Sequence, residues 1–364
     1  MASFPFSWEI VLKAVCTNGY YAPLAVRTRL TRMSGLRLWT VPLISLTLIS
    51  VFTGGFAYWR ATTPLATRHL VVSTTTSLYE TGLLNVLKSS FESRHQDINV
   101  SFISQGTGLA IQTAMHGDAD MILVHDPQRE LLLLEEGFGV DRKIIAYNFF
   151  IIVGPESDPA EVKGLPPLDA MKRIASAGER GQTLWVSRGD ESGTHVKEKA
   201  LWSQAGIDVQ SIRQEPWYIE AGTGMTAALK LADEKSAYTL SDMGTYLKNL
   251  KDRNIGLEIM VSAGKETLNV YSAILVDPRN STLREKNFDA AMSFLKHLIS
   301  EEGQAIIASF GKDQYGVALF NPYTPLLSSN DTEITAWIRQ IAFFNSTECP
   351  AQYRYMAESL YSET

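Results

Sequence analysis

Cysteine is nearly absent: the 364 residues include only Cys16 and Cys349. That excludes a disulfide-stapled scaffold and a thiolate metal cluster. The six histidines, at positions 69, 95, 116, 125, 195 and 297, have no ligand spacing. A metalloenzyme is therefore not expected, and neither metal nor cofactor is assigned. Positive charge is also in deficit, with 33 Lys and Arg against 39 Asp and Glu, a net of -6. Six of the basic residues and one acid precede position 67, so the remainder carries -11. A field of that sign excludes nucleic acid as a partner. Any anion must be held by a local arrangement against the global charge. Internal repeats and low-complexity tracts are lacking as well.

What is present begins with an apolar run. From Leu38 to Trp59 the chain reads LWTVPLISLTLISVFTGGFAYW, without a charge and long enough to cross a bilayer. Arg27, Arg29, Arg32 and Arg37 precede it, and Trp39, Tyr58 and Trp59 sit at its ends like interfacial anchors. The positive-inside rule places residues 1–37, a basic extension, in the cytoplasm and everything after Arg60 outside. Two outcomes stay open: 38–59 is a membrane anchor, or a signal segment cleaved near Gly55-Phe-Ala57. Translation from Met33 would give a short basic region of the usual kind, so the start at Met1 or Met33 stays open too. The expected location is extracytoplasmic: periplasmic, cell-surface or secreted.

Beyond Arg68 short apolar runs alternate with amphipathic stretches, which predicts an α/β fold with mainly parallel sheets. Strands are expected at His69–Ser73, Ile98–Ile103, Met121–Val124, Phe149–Val153, Thr183–Val186, Leu257–Val261 and Asn269–Val276. Ser77-Leu-Tyr-Glu80 has the form of a capping box, which predicts a helix starting at Ser77. A further helix is expected over Ser241–Leu250. The natural partition is discontinuous: 68–146 with 268–322 as one lobe, 147–267 as the other. Residues 323–364 form a tail with an amphipathic helical stretch at Ile334, Ile338, Ile341 and Phe344.

Three loops share one character, small or hydroxylated residues after a strand and before a helix. They are Ser73-Thr74-Thr75-Thr76-Ser77, Ser192-Gly193-Thr194 and Gly222-Thr223-Gly224 with Met225; Gly106-Thr107-Gly108 is a weaker fourth. The first turn of a helix has N–H groups without partners and a dipole that favours negative charge. Glycine admits close approach, and hydroxyls add donors that rotate to suit. Each loop alone is ordinary helix capping; three on two lobes make an anion site. Arg188 adds a guanidinium fork, with pairing to Asp190 or Glu191 as the plain alternative. Asp126, after the strand Met121–Val124, is either a helix cap or an acceptor for a protonated oxyanion, and Asp190 stands with it in the outer shell.

The stretch SRGDESGTH at 187–195 also contains the elements of a serine hydrolase. A nucleophilic serine needs a base within hydrogen-bond reach and a third group to orient it. Here Ser192 and His195 lie on one helix without the GxSxG elbow. The loop reads as a binding loop, with no catalytic residue assigned.

Taken in order, further stretches carry a resemblance: GDADMILVHDP at 117–127, EEGFGVDR at 135–142, NFFIIVGPESDPA at 148–160, EAGTGM at 220–225, ADEKSAYTLSDMGTYL at 232–247 and FGKDQYGVALFNP at 310–322. With STTTS, GTG and SRGDESGTH they resemble the extracytoplasmic tungstate-binding proteins of ABC importers, over about 70–322. The RxDxSGT pattern is also similar to phosphate-binding relatives. The resemblance implies a two-lobed periplasmic binding protein fold, each lobe a mixed, mainly parallel sheet flanked by helices, with the ligand cleft between lobes and a hinge near 147–153 and 262–270. It implies tungstate or molybdate as ligand and, in a prokaryote, an ABC permease as partner. Phosphate or sulfate binding, and a membrane-tethered anion sensor without a transporter, stay open; a serine hydrolase is the remote alternative. Met243 stands where the resemblance leads one to expect a basic residue.

Overall fold

The computed structural model describes residues 67–280, 282, 283, 287–327, 332–355 and 358–361. The basic extension 1–37 and the apolar run 38–59 lie outside the described residues. Among the described residues no helix is long and apolar enough to cross a membrane.

The strands run in the spatial order 98–105, 68–75, 121–124, 268–276, 139–154, 238–242, 185–187 and 218–220. At one end β1 (Arg68–Thr75) pairs in parallel with β2 (Ile98–Gln105) and β3 (Met121–Val124). At the other, β5 (Trp185–Ser187) pairs in parallel with β6 (Tyr218–Glu220) and β7 (Tyr238–Asp242). The two parallel groups are joined by antiparallel strands. β4 (Gly139–Gly154) runs against β9 (Leu268–Val276) along its first half and against β7 and β8 (Glu258–Val261) along its second. Short β10 (Asn321–Pro322) adds to β4. β4 is almost wholly buried, in keeping with its run IIAYNFFIIV, apolar apart from Asn148, as in a strand covered on both faces. This mixed α/β architecture is the one expected from the alternation.

Parallel strands need crossovers, and helices supply them. Leu83–Arg94 and Phe288–Ile299 cover the first group, meeting through Phe91 and Phe294 at 5.0 Å between rings. Around the second group Trp185, Trp202, Trp217 and Tyr218 form an edge-to-face cluster. Such aromatics each bury 150–250 Å² as a rule and dominate a core. The tail helix Thr332–Ala342 is also present, with Ile338 and Ala342 buried beside Val270 and Tyr323.

Two boundaries differ from expectation, for local reasons. Ser77 does not begin its helix. β1 stays paired through Thr75, so the helix Thr76–Glu80 starts directly at the strand end, with Thr75 Oγ1 accepting from Leu78 N at 3.3 Å. Gly82, at φ +87°, then separates this turn from Leu83–Arg94. Likewise Ser241 and Asp242 complete β7 rather than opening a helix. Asp242 caps Met243–Lys251 by accepting from Thr245 N at 2.8 Å.

Candidate functional site

In a parallel sheet the crevice lies beyond the carboxyl ends of the strands, where the following helices begin. Six helices start this way: Thr76–Glu80, Thr107–Met115, Pro127–Glu135, Gly193–Gln204, Met225–Glu234 and Met243–Lys251. Five of the six bring residues to one cavity of about 580 Å³, and Gly193–Gln204 brings its N-cap, Ser192. Its walls include Thr76, Ser77 and Glu80; Gly106, Gly108 and Gln112; Arg129; Arg188, Asp190 and Ser192; Gly224 and Met225; Asp242 and Thr245. First-turn N–H groups and helix dipoles from both parallel groups therefore face a common space.

The loops that form the wall hold one another. Ala221 N donates to Ser187 O at 2.9 Å and Thr223 N to Arg188 O at 3.3 Å, so the turn at 220–224 hangs on the strand end at 187–188. Gly189 must be glycine here. Its φ is +62°, and an added Cβ would lie 3.0 Å from that of Glu220. Ser192 caps its helix, its hydroxyl accepting from His195 N at 3.3 Å.

Charge is balanced within the wall. Arg188 is buried and paired through Nη2 with Asp190, while its Nε is buried without a partner. Burial pushes the Asp190 carboxyl up, but bonds from Ser192 and the Arg188 charge more than offset this and hold it below the ordinary carboxylate value. Arg129, half-exposed, reaches Asp126 at 3.5 Å and overhangs Gly108. Asp242 is buried, with Oδ1 bonded to Thr245 N and Oδ2 bare. Burial pushes its carboxyl up, opposed by the Thr245 bonds and the Arg188 charge.

A cavity built of helix starts, hydroxyls and a buried guanidinium suits a small oxyanion. The PBP superfamily domain matches residues 60–302. The chain belongs to the PBP superfamily. The tungstate-binding protein TupA of Peptoclostridium acidaminophilum is 38% identical over 254 residues, covering 70% of this chain and 85% of that one. The TupA of Campylobacter jejuni is 34% identical over 232 residues, 63% of this chain and 82% of that one. Among solved structures, the tungstate-binding protein TupA from Desulfovibrio alaskensis G20 superposes with a TM-score of 0.63 at 38% identity, over 70% of this chain and 99% of that one. A tungstate ABC transporter structure from Geobacter sulfurreducens gives 0.58 at 38% identity, over 66% and 98%.

Of the residues singled out by sequence, this PBP-superfamily chain sets Thr76, Ser77, Gly106, Arg188, Asp190, Ser192, Gly224 and Met225 on the cavity wall. Thr107, Asp126 and Gly193 line a neighbouring cavity of about 330 Å³ that shares Arg129 with the first. Thr107 is buried there with no partner for its hydroxyl. The others stand off both walls. Thr74 donates its hydroxyl to Leu123 O at 3.0 Å, bracing β1 on β3, and Thr75 is the helix cap described above. Thr194 is buried, and Gly222 and Thr223 make the turn behind Gly224. Asp126 is the N-cap of Pro127–Glu135, accepting from Arg129 N at 3.2 Å.

Sequence reasoning missed Glu80, Gln112, Arg129, Asp242 and Thr245. Asp242 had a signal, an acid where a strand ends and a helix starts; Arg129 had none. Met243 does not line the cavity; it packs among apolar side chains of both cores. The hydrolase arrangement is not assembled. His195 Nδ1 accepts from Glu191 N at 3.0 Å and the Ser192 hydroxyl accepts from the His195 backbone, so the ring nitrogen that could act as base is turned to the loop. Burial also holds the His195 imidazole below its ordinary value.

Proposed function

We propose that this protein is an extracytoplasmic solute-binding protein for a tetrahedral oxyanion, tungstate first and molybdate next, serving ABC-type uptake. The observation that carries the reading is the meeting of helix N-termini from both parallel groups and the buried Arg188 at one cavity, in a chain whose sequence beyond residue 66 is strongly acidic. Affinity for an anion then comes from fixed local donors. A charge-assisted hydrogen bond contributes about 1.5–3 kcal/mol net. Several around one dianion outweigh the cost of immobilising it. The names of the TupA relatives support tungstate as the ligand and a transporter as the partner.

In this reading the cavity is a cleft between a lobe of 68–146 with 268–322 and a lobe of 147–267, larger than one oxyanion needs and closing upon it. The protein performs no chemistry: its Arg188, Ser192 and Thr76 orient the anion and release it unchanged to a permease. The apolar run at 38–59 directs the chain out of the cytoplasm, as an anchor or a cleaved signal.

Calorimetry with tungstate, molybdate, sulfate and phosphate at neutral pH tests this. Tight one-to-one binding of tungstate, lost in Arg188→Ala, is the expected result. Binding of phosphate or sulfate alone would move the ligand within the class; binding of none would sink the reading.

A further inference from the structure

Asp242 is out of keeping with an anion site. It is 5% exposed and lines the cavity. Its Oδ1 is taken by Thr245 N, and its Oδ2 is buried without a hydrogen-bond partner. A carboxylate has acceptor capacity on both oxygens, and a bare buried charge is costly. A carboxylic acid has an O–H to give, and Oδ2 has no hydrogen-bond partner among the described residues. On the same wall the buried Nε–H of Arg188 is likewise without an acceptor. Both atoms are buried, and both belong to residues of one wall, at or just past the carboxyl ends of β5 and β7.

The surrounding charges sharpen the point. Facing the cavity from the other elements are Glu80, Arg129, Arg188, Asp190 and Glu191. Behind Asp242 stands Tyr271, whose phenol burial keeps neutral. From β4 Phe150 pairs with it, and its own helix contributes the neutral Met243 and Thr245. With Asp242 ionised, four carboxylates oppose two guanidiniums before any anion arrives. A dianion would enter a wall already negative.

We propose that Asp242 takes up one proton as the anion binds and donates it, as Oδ2–H, to an oxygen of the oxyanion. The inference rests on the oxyanion reading above. The proton comes from solvent, and no other bond is made or broken. Burial already biases this carboxyl towards its acid form. A donor at this position selects for oxyanions whose oxygens are all unprotonated. Hydrogen phosphate would set its own O–H against the donor, whereas tungstate offers an acceptor on every face. Asp126, the acceptor that hydrogen phosphate would need, is committed to capping its helix and to Arg129.

The test uses the full-length protein and sodium tungstate. Titration calorimetry in buffers of different ionisation heat gives the protons taken up per anion, from about pH 6 to about pH 8, for wild type and Asp242→Asn. Asparagine caps helices as well as aspartate does and keeps an N–H donor at the same place. The expected result is that wild type takes up as much as one proton more than the variant and weakens with rising pH, by up to about tenfold per pH unit. The variant binds with a flatter profile. Three outcomes overturn the proposal: zero uptake by wild type at every pH, equal uptake and slope in both proteins, or loss of binding by a variant that melts like wild type. If wild type binds no tungstate, the tungstate assignment fails and the proposal with it; the oxyanion reading itself falls only if molybdate, sulfate and phosphate also fail to bind.

Discussion

Gly193 stands against His125 with no room for a side chain: an added Cβ would lie 2.8 Å from the imidazole Cε1 and 3.4 Å from Thr107 Oγ1. Gly193 opens the helix after β5, whereas His125 and Thr107 follow β3 and β2. The contact therefore joins the two parallel groups beside the cavity. Gly193→Ala forces those elements apart, and overpacking of this kind costs about 1–3 kcal/mol. Tungstate affinity in the variant is expected to fall about tenfold or more, with a smaller change in melting temperature, because the strain falls where the two sides meet. Paired calorimetry and thermal melts decide it; equal affinity would mean that binding leaves this contact unchanged.

Thr107 carries a buried hydroxyl without a partner, one of few such groups among the described residues. Replacing it by valine keeps the shape and removes the unsatisfied atom, which is neutral or stabilising for the fold. If the hydroxyl is held in reserve for the ligand, Thr107→Val binds tungstate about tenfold more weakly while melting no lower than wild type. A drop in both would make Thr107 a structural residue only.

How much of this was legible in the sequence depends on how local each feature is. Ser192, Gly224 and Arg188 could be named because a cap, a glycine turn and a guanidinium fork announce themselves within a few residues. Thr74 could not be sorted from Thr76 in the same run, since the difference is that β1 continues through Thr75 and turns the Thr74 hydroxyl onto β3. The capping box at Ser77 misled for the same reason: a strand pairing set the helix start, and local propensity yielded to it. Arg129 reaches the wall from a helix whose sequence, PQRELLLLE, reads as an ordinary amphipathic turn. The alternation of strands and helices, by contrast, is a property of the whole chain and survived such local errors.

The tail fastens to the sheet through Glu348. Its Oε1 accepts from Lys143 Nζ at 3.0 Å, its Oε2 from Ile144 N at 3.0 Å, and its carbonyl from Arg142 Nη1 at 2.7 Å. Arg142 in turn donates to the fully buried Glu130 at 2.7 Å, and Glu130 accepts from Asp126 N. Removing one member leaves a buried charge uncompensated, which costs about 3–5 kcal/mol. Glu348→Ala is expected to lose that much in urea unfolding. A variant of unchanged stability would show that the tail rests on the sheet without holding it.

Glu198 is buried beneath the loop at 187–195, accepting from Trp185 Nε1 at 2.8 Å, Tyr218 Oη at 2.8 Å and Ser187 Oγ at 2.9 Å. Burial raises its carboxyl from 4.5 to about 7, against the pull of those donors. A group raised in the folded state favours folding most when it is protonated in both states, below its unfolded value. That contribution is lost as pH climbs from 4.5 through about 7. The gap corresponds to about 3 kcal/mol as an order of magnitude. Stability is thus expected to decline across this window by more in wild type than in Glu198→Gln, whose amide is neutral throughout and fills the same space. Thermal melts of both proteins at a series of pH values give the comparison. Parallel profiles would show that Glu198 is ionised in the folded protein at all these pH values, with its donors, Trp202 Nε1 at 3.4 Å among them, outweighing burial.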